Sequence, residues 1–343
     1  MVPEDDGGYP LRRATFEGND YALYGWRVRA DTALEPVTVP GQYAEPNLYV
    51  SAHGAGPVPS EQPNGVVLAE FPHCEACPKT YWLVANEDGF LIRFPGEVEY
   101  HISKDVKYVY WKRSPGVTLE HARELFRGHG MALLLGLAGH AVFHASGVLL
   151  ANPSGGTSKR AIAFIGGTGA GKSSLAALSV AAGAKFLTDD LLCAVPTSDG
   201  IVVTGGCAEL RLRRQARHLA GLFPGSHART TLDDRLALVL EEGGLAATSL
   251  GLLVFPIVSD ETTEITVHAL TPREVVVQLV GFPRMSGWLA KPVLETQLCC
   301  LAKMANEVTA IRLEVPWSDT LGPVEADALI GQLGAAMWRA TSA

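Results

Sequence analysis

The sequence predicts an α/β phosphate-loop domain preceded by a small, mostly antiparallel β domain. Three observations carry that expectation. Gly166-Gly167-Thr168-Gly169-Ala170-Gly171-Lys172-Ser173 matches G-x-x-x-x-G-K-[ST] in full, and it stands in the strand-to-helix context that the motif requires. The apolar run Ala161–Ile165 before it reads as a buried parallel strand, and the Ala- and Leu-rich Ser174–Ala182 after it reads as a helix. Upstream, residues 21–113 hold short β-branched and aromatic runs separated by turn signals, the pattern of a β-rich domain.

In chain order, residues 1–20 are polar and acidic and read as a flexible tail. Tyr21–Ala30 alternates aromatic and β-branched residues as a strand does, whereas Pro36–Pro63 is rich in Pro, Gly and Ser and reads mostly as loop. Strands are expected at Gly65–Phe71, Thr80–Ala85, Gly89–Phe94, Val98–Ile102 and Val106–Trp111, with turns at Asn86-Glu87-Asp88-Gly89 and Phe94-Pro95-Gly96. Ser114-Pro115-Gly116 marks a boundary, so residues 114–343 form the second domain. Thr118 caps a helix with Leu119, Ala122, Leu125 and Phe126 on its apolar side, interrupted near Gly128-His129-Gly130 and resumed through Leu137. Phe143–Leu150 is a strand, and Ala151–Arg160 is a polar loop whose Asn-Pro-Ser-Gly-Gly forms a hairpin tip. Beyond the phosphate-loop helix, Lys185–Val195 is an apolar strand with paired aspartates, Asp189-Asp190. Strands at 201–204 and 208–213, a helix at Gln215–Phe223 and strands at Ala237–Leu240, Ser249–Pro256 and Thr263–Ala269 follow. Thr271-Pro272-Arg273-Glu274 caps a helix running through Val280; Leu294–Asn306 and Pro323–Thr341 are helices, and Ala310–Pro316 is a strand.

At 343 residues, with 47% hydrophobic and 19% charged residues, the chain has room for two domains with sizeable cores. A net charge of −8 argues against a general nucleic-acid binder. No stretch reaches the roughly 18 apolar residues of a membrane span, and the start MVPEDDGGYPLRR has no apolar signal-peptide core, so the expected location is cytoplasmic with no membrane partner. Six cysteines are too sparse for a disulfide scaffold. His73-Cys74-Glu75-Ala76-Cys77 has metal-ligand spacing but no second ligand pair to complete a structural zinc site, so a metal and a plain loop both stay open there.

The chemistry of the phosphate loop follows from its residue types. Glycines let backbone N–H groups converge on phosphate oxygens, and the helix N-terminus adds its positive end. Lys172 reaches the outer phosphates, the Ser173 hydroxyl ligates Mg²⁺, and Ser174 completes the nucleotide-binding set. Asp189 and Asp190 lie close behind the loop, where one carboxylate can hold Mg²⁺ and another can take a proton from an attacking hydroxyl. Arg211, Arg213, Arg214 and Arg217 form a basic cluster, either a solvated face or an anion site. His144, taken alone, reads as a core residue before it reads as a catalytic one.

The order His144, GGTGAGKS at 166–173, Asp189-Asp190, then Glu209-Leu210-Arg211 resembles the catalytic domain of HPr kinase/phosphorylase, whose fold is related to phosphoenolpyruvate carboxykinase. Tyr21–Val28 and Phe282-Pro283-Arg284 are similar to HPr-kinase-related proteins of peptide natural-product gene clusters, including those for lasso peptides. The resemblance implies an ATP- and Mg²⁺-dependent kinase that transfers the γ-phosphoryl group to a serine-type hydroxyl on a peptide, protein or small natural product. It implies Asp189 as general base assisted by His144, with Lys172 on the phosphates, Ser173, Asp190 and Glu209 serving the metal, and Arg211 and Arg235 as candidate phosphate clamps. A longer Ala151–Arg160 insertion and Leu212-Arg213-Arg214-Gln215 after Glu-x-Arg depart from the family, so phosphorolysis, hexamer formation and HPr as substrate stay open. A homo-oligomer is compatible with the sequence. Two other readings stay open: a nucleotide-driven switch or scaffold without phosphotransfer, and a carboxykinase-like metabolic enzyme. Against the switch stand the lack of an Asn-Lys-x-Asp guanine-reading motif and of an ABC-type signature helix.

Overall fold

The fold is described from a computed structural model over residues 16–34, 45–71, 80–152, 158–240, 247–259, 264–316 and 323–339. Most of the acidic tail, the Cys74/Cys77 unit, the Asn-Pro-Ser-Gly-Gly tip and the last residues of the closing helix lie outside those ranges.

Eight strands build the first sheet: β1 (Asn19–Leu23), β2 (Trp26–Ala30), β3 (Leu48–Ala55), β4 (Val66–Phe71), β5 (Tyr81–Ala85), β6 (Gly89–Phe94), β7 (Val98–Ser103) and β8 (Tyr108–Arg113). Their order is β1-β2-β3-β8-β7-β6-β5-β4, parallel where β3 meets β2 and β8 and antiparallel elsewhere. Two expectations change here. The single strand at 21–30 is a hairpin, because Tyr24 and Gly25 both take positive φ (54° and 82°), the backbone of a tight turn that matches strand twist. The expected loop at 36–63 contains β3, whose Pro- and Gly-rich flanks hid it; Tyr49 stacks on Tyr108 of β8 at 5.1 Å, a tertiary contact that composition does not report.

The chain then crosses this sheet as one helical run: α1 (Leu119–Leu125), a π-helical turn (Phe126–Gly130) and α2 (Met131–Leu137). Thr118 caps it by accepting from the His121 N–H at 3.1 Å. The expected interruption is therefore one extra residue per turn, with no break. Leu125, Phe126, Met131 and Leu135 join Tyr100, Val109 and Trp111 in the first core.

The second sheet holds β9 (Ala141–Phe143), β10 (Ala145–Ala151), β11 (Lys159–Ile165), β12 (Lys185–Thr188), β13 (Leu192–Thr197), β14 (Gly200–Thr204), β18 (Thr248–Ser259), β19 (Thr266–Ala269) and β20 (Thr309–Pro316). Its path is β12-β10-β11-β18-β14-β13-β9, with β20 and then β19 branching from β18. At twelve residues, β18 is long enough to serve β11 along one edge while β14 and β20 share the other. The strand entering the phosphate loop, β11, is parallel to β18 but antiparallel to β10, so the expected parallel strand is parallel on one side only. Its side chains alternate between two cores. Ile162 and Phe164 pack with Leu175 and Leu178 of α3 (Lys172–Ala181) and with Leu329 and Leu333 of α6 (Pro323–Arg339). Ala161, Ala163 and Ile165 pack with Leu279 of α4 (Pro272–Gly281) and Met304 of α5 (Lys291–Glu307). Burial on both faces is why the run reads as continuously apolar. The expected Thr271 cap is a full capping box with Glu274.

A small third sheet, β15 (Glu209–Leu212), β16 (Ala228–Thr230) and β17 (Leu236–Val239), with a 3-10 helix at Arg214–Leu222, leans on α3 through Leu210, Leu212 and Leu238. No helix among the described residues is long and apolar enough to cross a membrane.

Candidate active site

The phosphate loop bends from β11 into α3, and its geometry rests on Gly171. That residue caps α3 at φ 82°, and a Cβ there would sit 2.5 Å from Val258 Cγ2, so the close approach of the loop to β18 excludes a side chain. Lys172 folds back to donate to the Gly167 carbonyl at 2.8 Å. Burial lowers its pKa to about 8; Asp189 and Asp190 pull it up, and Arg213 and Arg235 push it further down. A lysine held this far below its ordinary value gains most from an anion, and the loop offers one a cradle of backbone N–H groups.

The paired aspartates do not end one strand. β12 stops at Thr188, the chain turns through Asp189 and Asp190, and β13 starts in another part of the sheet beside β9 and β14. Asp190 takes φ 71°, a left-handed conformation that Asp tolerates better than bulky residues and that often marks a functional turn. The turn sends the two carboxylates in different directions. Asp189 is 4% exposed and accepts three hydrogen bonds: from Ser146 Oγ at 2.5 Å and Ser173 Oγ at 2.9 Å on one oxygen, and from the Arg211 N–H at 2.9 Å on the other. Asp190 has Oδ2 2.9 Å from Arg284 Nη2 and Oδ1 3.2 Å from His144 Nδ1. Burial alone would raise the Asp190 pKa, but Arg284, then His144 and Arg211, hold it well below the usual carboxylate range.

His144 sits at the joint between β9 and β10, one residue outside the strand expected to contain it. Its N–H donates to the Phe282 carbonyl at 3.3 Å, and the Arg284 N–H donates to the Val142 carbonyl at 2.9 Å, so the Phe282-Pro283-Arg284 segment lies against the end of β9 and delivers Arg284 to Asp190. His144 Nδ1 also lies 3.1 Å from the Asp190 carbonyl oxygen. Two acceptors on one nitrogen place a proton on Nδ1. Ser146, two residues beyond the bend at His144, reaches Asp189 from β10.

Three other expected residues, Glu209, Arg211 and Arg235, are committed to ion pairs. Glu209, expected at the metal, is 2% exposed and turned into a cluster of arginines: Arg229 Nε at 2.9 Å on one oxygen, Arg127 Nη2 at 3.1 Å and Arg211 Nη2 at 3.4 Å on the other. Burial raises its pKa, but Arg127, Arg229 and Arg211 outweigh that and bring it to about 2. With guanidinium groups on both oxygens it has no free face for a cation. The expected clamp Arg211 gives its side chain to Glu124 at 2.5 Å and Glu209, and the other, Arg235, pairs with Asp233 at 2.9 Å. The basic cluster divides: Arg217 binds Asp234 at 2.6 Å, whereas exposed Arg213 lines the phosphate-loop cavity, its side chain without a hydrogen-bond or ion-pair partner among the described residues.

That cavity measures 470 Å³ and brings together Thr168, Lys172, Ser173, Ser174, Asp189, Asp190, His144 and Arg213. A second cavity of 360 Å³ adjoins it, sharing His144, Thr168, Asp190, Arg211 and Arg235 as a common wall. Among the described residues no group of three or more His, Cys, Asp or Glu could hold a metal ion. Ser173 and Asp189 converge as one hydroxyl and one carboxylate, the sparse donor set that suits Mg²⁺, which takes most of its remaining ligands from substrate phosphates and water.

No protein-family model matches the chain, and no curated protein matches it. Among solved structures it is similar to the Hpr(Ser) kinase/phosphatase from Coxiella burnetii, at 10% identity over 59% of this chain and 94% of that one, with a TM-score of 0.31. Residues that the sequence did not single out for the site are Ser146, Arg284 and the residues that line the second cavity alone, such as Leu125, Gly128 and Leu232. Arg284 had no local signal, because its partner Asp190 lies in a distant part of the chain.

Proposed function

We propose that the protein is an ATP- and Mg²⁺-dependent phosphotransferase with a hydroxyl group as acceptor. The observation that carries the reading is the shared wall: a histidine–carboxylate pair stands between a phosphate-loop cavity and a second cavity. A switch needs only the first of these cavities. A transferase needs both, with a proton acceptor between them.

The roles follow from where the side chains point. Lys172 and Arg213 face the phosphates and neutralise charge there. Ser173 and Asp189 are the residues that would hold Mg²⁺, which would offset the charge of the phosphates there. Ser146 and the Arg211 N–H fix Asp189 in that orientation. Asp190 keeps the proton of His144 on Nδ1, so Nε2 is the atom that takes the proton of the attacking hydroxyl. This exchanges the duties that the resemblance implied for the two aspartates: Asp189 serves the metal, and Asp190 serves the base.

The test is phosphoryl transfer followed by mass spectrometry with ATP, Mg²⁺ and hydroxyl-bearing acceptors, alongside calorimetric ATP binding. Acceptor-dependent ADP formation, lost in Lys172→Ala and His144→Gln, is the expected result. ATP binding without acceptor-dependent turnover returns the switch reading.

A further inference from the structure

The second cavity carries information about the acceptor. It lies between the α1–π-turn segment, the Thr231–Arg235 turn and Arg284, and it meets the phosphate cavity at His144 and Asp190. A hydroxyl destined for phosphorylation must reach His144 from this side.

Two physical properties restrict what can enter. The first is size. A volume of 360 Å³ holds about a dozen water-sized groups at roughly 30 Å³ each, which is small-molecule scale. The second is charge. The guanidinium groups of the wall already face carboxylates: Arg284 with Asp190 at 2.9 Å, Arg211 with Glu124 at 2.5 Å and Arg235 with Asp233 at 2.9 Å; His121, His129 and His144 line it beside them. Between them stand uncharged groups, Leu125, Gly128, Thr168, Thr231 and Leu232. A carboxylate, phosphate or ammonium entering this wall finds no unpaired guanidinium or carboxylate among the described lining residues to offset its desolvation unless it breaks a pair. A neutral alcohol breaks none, because ion-paired carboxylates keep spare lone pairs and guanidinium groups keep spare N–H donors for its hydroxyls.

Resting on the phosphotransferase reading, we infer that the acceptor is a small, electrically neutral polyhydroxy compound of polyol or sugar type. Its hydroxyl proton passes to His144 Nε2, and the oxygen lone pair forms the new O–P bond to the γ-phosphorus. The bond from that phosphorus to the β-phosphate oxygen breaks, and the nucleoside diphosphate leaves with its electron pair.

The test compares acceptors that differ in charge but share a primary alcohol. Full-length protein with ATP and Mg²⁺ is assayed for phosphoryl transfer to glycerol, glycerate, ethanolamine and an uncharged serine-containing pentapeptide, while calorimetry follows ATP binding. Glycerol is expected to exceed glycerate, ethanolamine and the peptide by at least about tenfold in kcat/KM, the equivalent of 1.4 kcal/mol of discrimination. Leu232→Arg, at a residue that is 58% exposed, adds an unpaired cation to the wall and is expected to shift the glycerate-to-glycerol ratio toward glycerate. Faster transfer to glycerate, ethanolamine or the peptide overturns the neutral-acceptor assignment and leaves the transferase reading standing. Tight ATP binding with transfer to none of the four overturns both.

Discussion

At the scale of single residues, neighbouring carboxylates have been given different surroundings, and the difference is testable. Asp189 is saturated by two serines and a backbone N–H beside the phosphate loop, while Asp190 holds an imidazole. We expect Asp190→Asn and His144→Gln each to lower kcat by about 10²–10⁴ with ATP affinity preserved, the usual scale for removing a positioned base. Asp189→Asn should instead weaken Mg²⁺-dependent ATP binding in calorimetry. Full turnover in Asp190→Asn, with Asp189→Asn dead at unchanged affinity, would return the base to Asp189. Lys172 gives a pH prediction. Its pKa in the free protein is lowered to about 8, and a bound phosphate raises it, so binding takes up a proton only where the free lysine is neutral. ATP affinity should be flat below pH 8 and fall above it, toward about tenfold per pH unit. An affinity that stays flat to pH 9.5 contradicts this role. The nucleotide half of the site was legible because the loop's chemistry is local: Gly, Lys and Ser stand at fixed offsets. The arginines were not, because a side chain's duty depends on its partners. Arg211 and Arg213 look alike in sequence and both line the cavity, but Glu124 and Glu209 claim the side chain of the first and no described carboxylate claims that of the second.

At the scale of elements, the sequence reported helices and strands best where one segment carries its own signal. The capping box at Thr271, the strand Ala161–Ile165 and the Thr118 cap are of that kind. It missed β3, which exists because β2 and β8 pair with it, and it read β12 and β13 as one strand because apolar residues run on either side of the turn. The π-helical turn was visible only as a Gly-His-Gly irregularity, and its purpose is positional. It brings Gly128 so close to the site that a Cβ there would lie 2.9 Å from Arg284 Nη2 and 3.7 Å from Asp190 Oδ2. Single π turns often occur at functional sites for this reason. Gly128→Ala should push Arg284 off Asp190 and lower kcat by about tenfold or more, an energy of roughly 1.4 kcal/mol, while ATP binding at the far cavity is unaffected. Arg284→Lys should reproduce part of the loss. Wild-type kcat in both variants would show that the Arg284–Asp190 pair is dispensable.

At the scale of the whole molecule, the site is assembled from parts that only tertiary contacts bring together. The Tyr24 N–H donates to the Gly205 carbonyl at 2.8 Å, the Glu70 N–H to the Gly287 carbonyl at 2.9 Å, and the Arg127–Glu209 pair crosses from the helical run to the small sheet. The last of these belongs to a cluster in which Arg127, Arg211 and Arg229 surround Glu124 and Glu209. Because Arg211 also holds Asp189 through its backbone, the cluster links the first sheet's helices to the Asp189 side of the site. Its stability contribution has a defined pH window. Glu209 titrates near 2 in the folded chain against an ordinary value of 4.5, so the unfolded chain binds its proton first as pH falls. The contribution is complete above pH 4.5 and is lost between there and pH 2, an effect of about 3 kcal/mol. Glu209→Gln should therefore be destabilised by about 3–5 kcal/mol at pH 7, since it strands buried guanidinium groups. That deficit should narrow steadily as both proteins are unfolded by denaturant at pH 5, 4 and 3, because the wild type loses its own charge there. A gap that stays constant down to pH 3 would mean that packing around Glu209, and not its ionised pairing with the three arginines, joins the two halves of the molecule.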